Sequence, residues 1–389
     1  MMNTSDVLII GAGVVGCAAA YYLRKNGVSV TVLESDMIGN GGSSRNGGGV
    51  RISGRDPREL GICAYGVKNI WPTLSEELGI DVEYRQKGYL VCGYDDSHKR
   101  LIKDRINTAA KFGIKMELKE EEEIRSLYPY VSEHVTCAGW TPSDGVANPL
   151  KTTLGYYIRA RENGARFITG EKVLCIEKIK GRARKVITES GNVYEAESII
   201  LACGYGGRKI LNSVGIEVLM QKKLEEVIVT EPAPRLFDHM IGGMSGFYGQ
   251  QTEHGSFVLG SSCGRETYLF NKSNTVSTYS APSFICDSIG VDIPALKKLK
   301  VIRTWSGWID RSYDAVPIIG NIEEVPGLFV SIASSGHGFG PGPAVGFILS
   351  ELAQGRPSPV DISKLHYDRF DYVKYQDRYF VSDVGGSFS

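Results

Sequence analysis

The sequence is short of several things that a chain of 389 residues often has. Net charge is one: 44 Lys and Arg stand against 44 Asp and Glu, so no global field draws it to nucleic acid or anionic lipid. Paired cysteines are another. The eight thiols, at 17, 63, 92, 137, 175, 203, 263 and 286, form no C-x-x-C pair, a spacing that suits neither a zinc ribbon nor an iron–sulfur cluster, and no metal is expected. Several lie in apolar runs ("KVLCIEK", "IILACG"), so buried, reduced thiols are expected. No apolar run approaches membrane-spanning length, and no basic region precedes an apolar stretch at the N-terminus. The expectation is a cytoplasmic protein without signal peptide or transmembrane segment. Internal repeats and low-complexity linkers are missing too. What remains is an ordinary folded composition, 42% hydrophobic and 23% charged, long enough for two domains or for one with an inserted lobe.

Glycine, by contrast, is concentrated. Residues 6–34 read as a strand ("VLII"), a tight turn ("GAGVVG"), a helix ("CAAAYYLRKNG", stopped by Gly27) and a second buried strand ("VSVTVLE"). In Gly11-Ala12-Gly13-Val14-Val15-Gly16, Gly11 permits the turn, Gly13 lets backbone approach a pyrophosphate, and Gly16 lets helix and strand pack closely. Glu34, followed by Ser35, closes the second strand, where an acid accepts hydrogen bonds from ribose hydroxyls. An unphosphorylated adenosine ribose is favoured, as in FAD or NAD.

The next stretch, residues 39–55 ("GNGGSSRNGGGVRISGR"), holds seven glycines and three arginines. Ser43, Ser44, Arg45 and Asn46 are expected to donate to phosphate and ribityl oxygens, and Gly47, Gly48 and Gly49 to press against a flat ring. A nicotinamide domain has no need of such a loop; a flavin does. A third glycine-rich stretch, residues 334–346 ("SSGHGFGPGPAVG"), opens a helix at about Ala344 whose positive end points toward Gly340–Gly342. Aimed at a flavin, it favours the anionic reduced ring. Gly336, His337, Gly338, Phe339 and Gly340 are the contacts expected there, with Gly307 from "TWSGW". His337 either faces the ring or packs in the core.

Elsewhere, residues 56–79 read as helix, 81–93 as a strand or hairpin, and 97–126 as a charged helical stretch. That stretch ends in "KEEEEIRSLYP", a solvated helix face or a helix N-terminus. Asn148-Pro149 opens another helix. Short strands fill 166–202, 217–310 is strand-rich with a helix near 276–288, and "LFVSIASSG" is a strand. The expected fold is α/β plus β. A discontinuous Rossmann-like domain comprises 1–85, 145–215 and 310–365, a β-rich lobe 86–144 and 216–309, and a tail 366–389.

The set Gly11-x-Gly13-x-x-Gly16 with Glu34, "SSRNGGGVR", "YDAVPIIG" and "SSGHGFGPGPAVG" resembles the D-amino acid oxidase/sarcosine oxidase superfamily of FAD enzymes, from about residue 6 to about 363. "RNGGGVR" is most similar to the β subunits of heteromeric sarcosine oxidase, L-proline dehydrogenase, D-hydroxyproline dehydrogenase and opine oxidase. The resemblance implies an FAD domain of glutathione-reductase type and a substrate lobe whose antiparallel sheet covers the flavin. It puts Val173 where backbone contacts adenine, and Ala202, Cys203 and Gly204 at a strand end beside the pyrophosphate. Arg51 falls where an arginine binds the substrate carboxylate, and a guanidinium fork suits that group.

The chain also departs from the family. Trp305 in "VIRTWSGW" replaces the cysteine that links to flavin, implying non-covalent FAD. Val258 in "SFVLG" and Gly340 replace lysines near the flavin, and loss of the first, which promotes reaction with oxygen, favours a dehydrogenase. Asn148 in "DGVANP" replaces a histidine that carries covalent FMN, leaving open a non-covalent FMN at a subunit interface. The implied activity is oxidation of an amino or imino acid to the imine by hydride transfer to flavin N5, within a hetero-oligomer that has an electron-transfer subunit. Tyr248 and Trp305 are candidate pocket walls, with plain core packing the alternative. Arg55, beside Asp56, is expected to be structural. The alternative functions are a self-contained oxidase of glycine or sarcosine oxidase type producing hydrogen peroxide, and a flavin-bearing assembly subunit without turnover.

Overall fold

The β-branched runs of the sequence become the buried strands of a mixed sheet. In this computed structural model, which describes residues 3–261 and 280–370, "VLII" at the end of strand Asn3–Ile10 and all of Val30–Leu33 are buried. Core side chains pack on both faces of this sheet, Val7 and Ile9 into one cluster and Leu8 and Ile10 into another, so both faces of a central strand are apolar. The strand order is Ile318–Asn321, Leu328–Ile332, Val193–Leu201, Asn3–Ile10, Val30–Leu33, Arg166–Ile168. All neighbours run parallel except the antiparallel edge strand Ile318–Asn321. An antiparallel pair, Val173–Ile179 and Arg182–Thr188, attaches to Val193–Leu201.

Helices Val14–Lys25, Pro149–Glu162 and Gly342–Ala353 pack together beside this sheet. The first and last touch through Gly346, where a Cβ would stand 2.6 Å from that of Ala18. Pro149 begins its helix as the sequence predicts, and Asn148 Oδ1 accepts the amides of Leu150 and Lys151 at 3.1 Å.

A second sheet has the order Val301–Ser312, Met220–Thr230, Phe257–Ser261, Phe247–Gln251, Met240–Gly243, Tyr89–Gly93, Cys137–Thr141, Glu117–Glu120. It is antiparallel except at Met240–Gly243 against Tyr89–Gly93, which run parallel. Its core includes Phe237, Phe247, Phe257 and Leu259, closed by Ile285 and Ile289 of helix Ser280–Asp292. Residues 276–279 of the helix expected at 276–288 lie outside the described residues, as do Cys263 and residues 371–389 of the tail.

Three predicted elements differ. Residues 56–79 form helix Leu60–Asn69, a 3-10 turn Trp71–Thr73 and helix Leu74–Leu78, because Pro72 cannot continue a helix. In 81–93 only Tyr89–Gly93 is a strand, with Arg85 making a single bridge to Val146. Residues 97–126 divide into helix Asp96–Ala110, strand Glu117–Glu120 and helix Glu121–Leu127. The chain turns at Gly113, whose φ is +68°. The acidic run starts the last of these helices through a capping box between Glu120 and Glu123. Of the described thiols, all free, Cys17, Cys63, Cys92 and Cys137 are buried and Cys175 and Cys203 partly so. Cys286, on the outer side of helix Ser280–Asp292, is exposed, against expectation.

Candidate active site

At the C-terminal ends of the parallel strands opens a cavity of about 1350 Å³, larger than most small-molecule pockets. Seventeen of the expected cofactor residues line it: Gly11, Gly13, Val14, Val15, Glu34, Ser35, Ser43, Arg45, Asn46, Val173, Ala202, Cys203, Gly204, Gly307, Gly336, Gly338 and Phe339. They come from all three glycine-rich stretches and from four strand ends.

The first turn is backbone pressed on backbone. Gly11 has φ +103°, and a Cβ there would stand 2.5 Å from the Ala202 carbonyl oxygen. A Cβ on Gly16 would land on the Gly11 carbonyl oxygen. The Ala12 amide donates to Glu34 Oε2 at 2.8 Å, while Glu34 Oε1 accepts the Asp36 amide and the Ser35 hydroxyl. Glu34 is thus anchored to the turn it faces. Ser43 Oγ accepts the Val14 amide at 2.9 Å, tying the second glycine stretch to the first helix.

That second stretch spends much of its polarity on itself. Asn46 Nδ2 donates to the carbonyls of Gly42 and Ser43, and its Oδ1 accepts the Gly48 amide. Arg45 donates to the carbonyls of Asn40 and Ser306, pinning the loop to strand Val301–Ser312 beside Gly307. Ser44, in the 3-10 turn Gly42–Ser44, does not line the cavity. Gly47 lies under Tyr248: a Cβ would stand 2.7 Å from Cε2 of that ring. Gly48 has φ +76° and packs on the Ala147 carbonyl, and Gly49 pairs with Val146.

The third stretch is backbone-strained. Ala333 and Ser335 have φ of +55° and +54°, and nearby Ala315 +58°, the left-handed region that side chains disfavour. Helix Gly342–Ala353 starts two residues earlier than predicted and has no side-chain cap, so its positive end is open behind Phe339. A Cβ on Gly340 would stand 3.0 Å from the Gly49 carbonyl oxygen, which leaves no room for a lysine.

Three of the four expected catalytic residues, His337, Trp305 and Arg51, lie outside the cavity lining. His337 turns to the core: its Nδ1 is 3.2 Å from Glu59 Oε2 and its Nε2 3.2 Å from the Ala315 carbonyl oxygen. Burial and Arg55 push its pKa below the usual histidine value. Trp305 pairs with Val227 across the sheet, and Arg303 lies 5.4 Å over its ring. The tryptophan that reaches the cavity is Trp308, three residues on and so on the other face of the strand. Lys222 Nζ sits 4.1 Å over the Trp308 ring. Tyr248 does line the cavity, wedged between Gly47 and Gly260, and burial drives its pKa up.

Arg51 is not in the cavity lining. It sits beside Tyr248, with its guanidinium 5.2 Å over the Tyr89 ring and Nη1 donating to the Tyr89 hydroxyl at 3.2 Å. Its Nε is buried without a hydrogen-bond partner among the described residues. Asp144, fully buried, accepts the amides of Ile52 and Ser53 and the Ser53 hydroxyl, which locks the backbone just after Arg51. Arg55 does not pair with its neighbour Asp56: Asp56 pairs with Arg58, at 2.8 Å, while Arg55 lies within reach of the charges of Arg51, Glu59 and Asp144.

Sequence reasoning missed Asp310 at the cavity wall. Its carboxyl is pushed up to about 6 by burial, despite the backbone amides of Ala333 and Ser334. An acid inside the strand "TWSGWIDRS" was the available cue.

Several comparisons agree with this geometry. The family model described as DAO, FAD dependent oxidoreductase, matches residues 6–352. A component of the opine oxidase of Rhizobium meliloti is 25% identical over 391 residues, covering 95% of this chain and 99% of that one. The sarcosine oxidase β chain of the same species (strain 1021) is 26% identical, covering 94% and 88%. The crystal structure of L-proline dehydrogenase from P. horikoshii superposes with a TM-score of 0.88 at 29% identity, covering 96% and 99%. The glycine-lined cradle at Gly11, Gly13 and Gly204, the anchored Glu34 and the cavity volume fit a bound flavin dinucleotide. By the match over residues 6–352, the chain belongs to the DAO family of FAD-dependent oxidoreductases, and FAD is its cofactor.

Proposed function

We propose that the chain oxidises the C–N bond of an amino or imino acid, of the proline, hydroxyproline, sarcosine or D-amino acid class, as the catalytic β subunit of a heteromeric dehydrogenase. The observation that carries this reading is Arg51, a guanidinium held by Tyr89 beside the cavity wall with a buried Nε unsatisfied. An orphaned donor on a buried cation is costly, and a carboxylate satisfies it with a matching fork. In this reading residues 1–85, 145–215 and 310–365 hold the cofactor, and 86–144 with 216–309 cover the substrate. Tyr248 walls the pocket, Tyr89 fixes the guanidinium plane, and Asp144 fixes the backbone that presents it. When bound, the flavin supplies the hydride acceptor. No side-chain base is needed if the amine is neutral.

The relatives are named as single chains of multi-chain oxidases, which supports a hetero-oligomer with an electron-transfer subunit. Trp305 offers no thiol to the flavin, which supports non-covalent FAD. Asn148 is engaged as a helix cap, so an FMN at a subunit interface would also be non-covalent. No helix among the described residues is long and apolar enough to cross a membrane. The test is an anaerobic panel of D- and L-proline, hydroxyproline, sarcosine and opines, read at the visible flavin absorption. Bleaching by at least one member is expected; a flavin left oxidised by all of them sinks the reading. Slow oxygen consumption during turnover, as Val258 suggests, would separate a dehydrogenase from an oxidase.

A further inference from the structure

Arg51 is not alone at the substrate end. Arg55 and Arg105 lie near enough for its charge to act on both. Arg105 comes from helix Asp96–Ala110 and reaches over the loop at Gly54, where a Cβ would stand 3.9 Å from its Nη1. Gly54 separates Arg51 from Arg55 along the chain, so three guanidinium groups converge on one short loop.

Their counter-charges are few. Asp144 faces Arg51 and Arg55, but its oxygens are engaged by Ile52 and Ser53. Glu59 faces Arg55 and also lies against His337. Arg105 meets the Tyr89 phenol, the like charge of Arg51, and Met244 Sδ at 3.9 Å; among the described residues no carboxylate pairs with it. The buried Nε of Arg51 and that of Arg55 both lack acceptors among the described residues. Three cations therefore stand against two carboxylates in a partly desolvated place, where unpaired charge is costly. A substrate with one carboxylate, held by Arg51, leaves Arg105 without an anionic partner, and a second carboxylate supplies one.

We infer that the amine oxidised here carries a second carboxylate, received by Arg105 while Arg51 holds the one beside the amine. The inference rests on the proposed role of Arg51. The chemical class is an acidic amino acid or a secondary amine between two carboxylate-bearing arms.

The test uses the purified holoprotein and matched pairs: iminodiacetate against sarcosine, and glutamate or aspartate against alanine, each scored by anaerobic flavin bleaching. The acidic member of a pair is expected to half-saturate at roughly ten- to hundredfold lower concentration, the range of a charge-assisted hydrogen bond. Which pair responds distinguishes the two kinds of dicarboxylate. Arg105→Leu should bring the ratio near one, with Arg105→Lys intermediate. Equal response to acidic and neutral members in the wild type overturns the inference, as does an equal loss of both in Arg105→Leu.

A second arm needs no turnover. Glutarate and butyrate are titrated against the oxidised flavin spectrum. Tighter glutarate binding that Arg105→Leu removes supports the inference even if no amine is oxidised, in which case the proposed function alone fails. Glutarate binding no tighter than butyrate sinks the second carboxylate and leaves amine oxidation standing.

Discussion

The two ends of the site are built from different materials. The end around Gly11, Glu34 and Ser43 is backbone against backbone: amides of Ala12 and Val14 on side-chain oxygens, and glycines where a Cβ would strike a carbonyl. The end around Arg51 is side chain against side chain: three arginines, Tyr89 and Asp144, brought from two loops, one helix and one strand. A backbone site has almost no slack, because carbonyls cannot move without moving a strand. A side-chain site is graded, since each guanidinium can lose part of its work and keep the rest. Substitutions at the first end should act as switches and at the second as dials.

The largest effect is therefore expected at Gly16. In Gly16→Ala the new methyl meets the Gly11 carbonyl oxygen, and relief requires the first helix to leave the strand. The purified protein should be colourless, with FAD retention down at least about a hundredfold on the scale of a misplaced pyrophosphate turn. Gly61→Ala is the control, since it lies away from the cavity and a Cβ there meets only Val360 Cβ, at an ordinary 3.8 Å. If Gly16→Ala keeps its flavin as well as Gly61→Ala does, the contrast between the two ends fails.

Next comes Arg51→Lys. It keeps the charge and removes the planar fork and the stacking on Tyr89, so substrate half-saturation should rise about ten- to hundredfold while the flavin-to-protein absorbance ratio is unchanged. Equal loss of substrate and flavin would merge the two ends into one.

This difference in material also explains what could be read beforehand. The first end is local in sequence. Its glycine spacing, the strand before it and the acid after it state the turn, because a Rossmann crossover has few ways to be built. The second end converges from residues 51, 55, 89, 105 and 144, and no spacing rule joins them. Arg51 is found by resemblance; Arg105 sits in a charged helix that reads as a solvated face. Within the strand "VIRTWSGWIDRS" the choice between Trp305 and Trp308 turns on which face meets the cavity, and alternation alone does not say. His337 poses the same question, and only Glu59 and Ala315 around it give the answer.

Asp310 is a side-chain charge set into the backbone end, and it gives the third prediction. Burial raises its carboxyl from an ordinary 3.8 to about 6, so the folded chain binds this proton more tightly than the unfolded one. Its contribution to stability is greatest below about pH 4, falls as pH rises through about 6, and is flat above. In flavin-stripped protein, the melting temperature of the wild type relative to Asp310→Asn should drop by about a few degrees across that window. Parallel curves would mean that Asp310 is better solvated than its surroundings imply.

The smallest change tests the graded end most finely. Tyr89→Phe removes one hydroxyl, the acceptor of Arg51 Nη1, and keeps the ring on which the guanidinium rests. The stacking remains worth about 0.5–2 kcal/mol, and the lost hydrogen bond about 1 kcal/mol, because Nη1 is then left to the substrate or to water. Half-saturation should shift by about three- to tenfold with little change in the limiting rate of flavin reduction. Tyr89→Leu, which removes the ring as well, should move further in the same direction. A Phe variant as damaged as the Leu variant would mean that the hydroxyl, not the ring, sets the guanidinium plane, and the carboxylate end would then behave as a switch too.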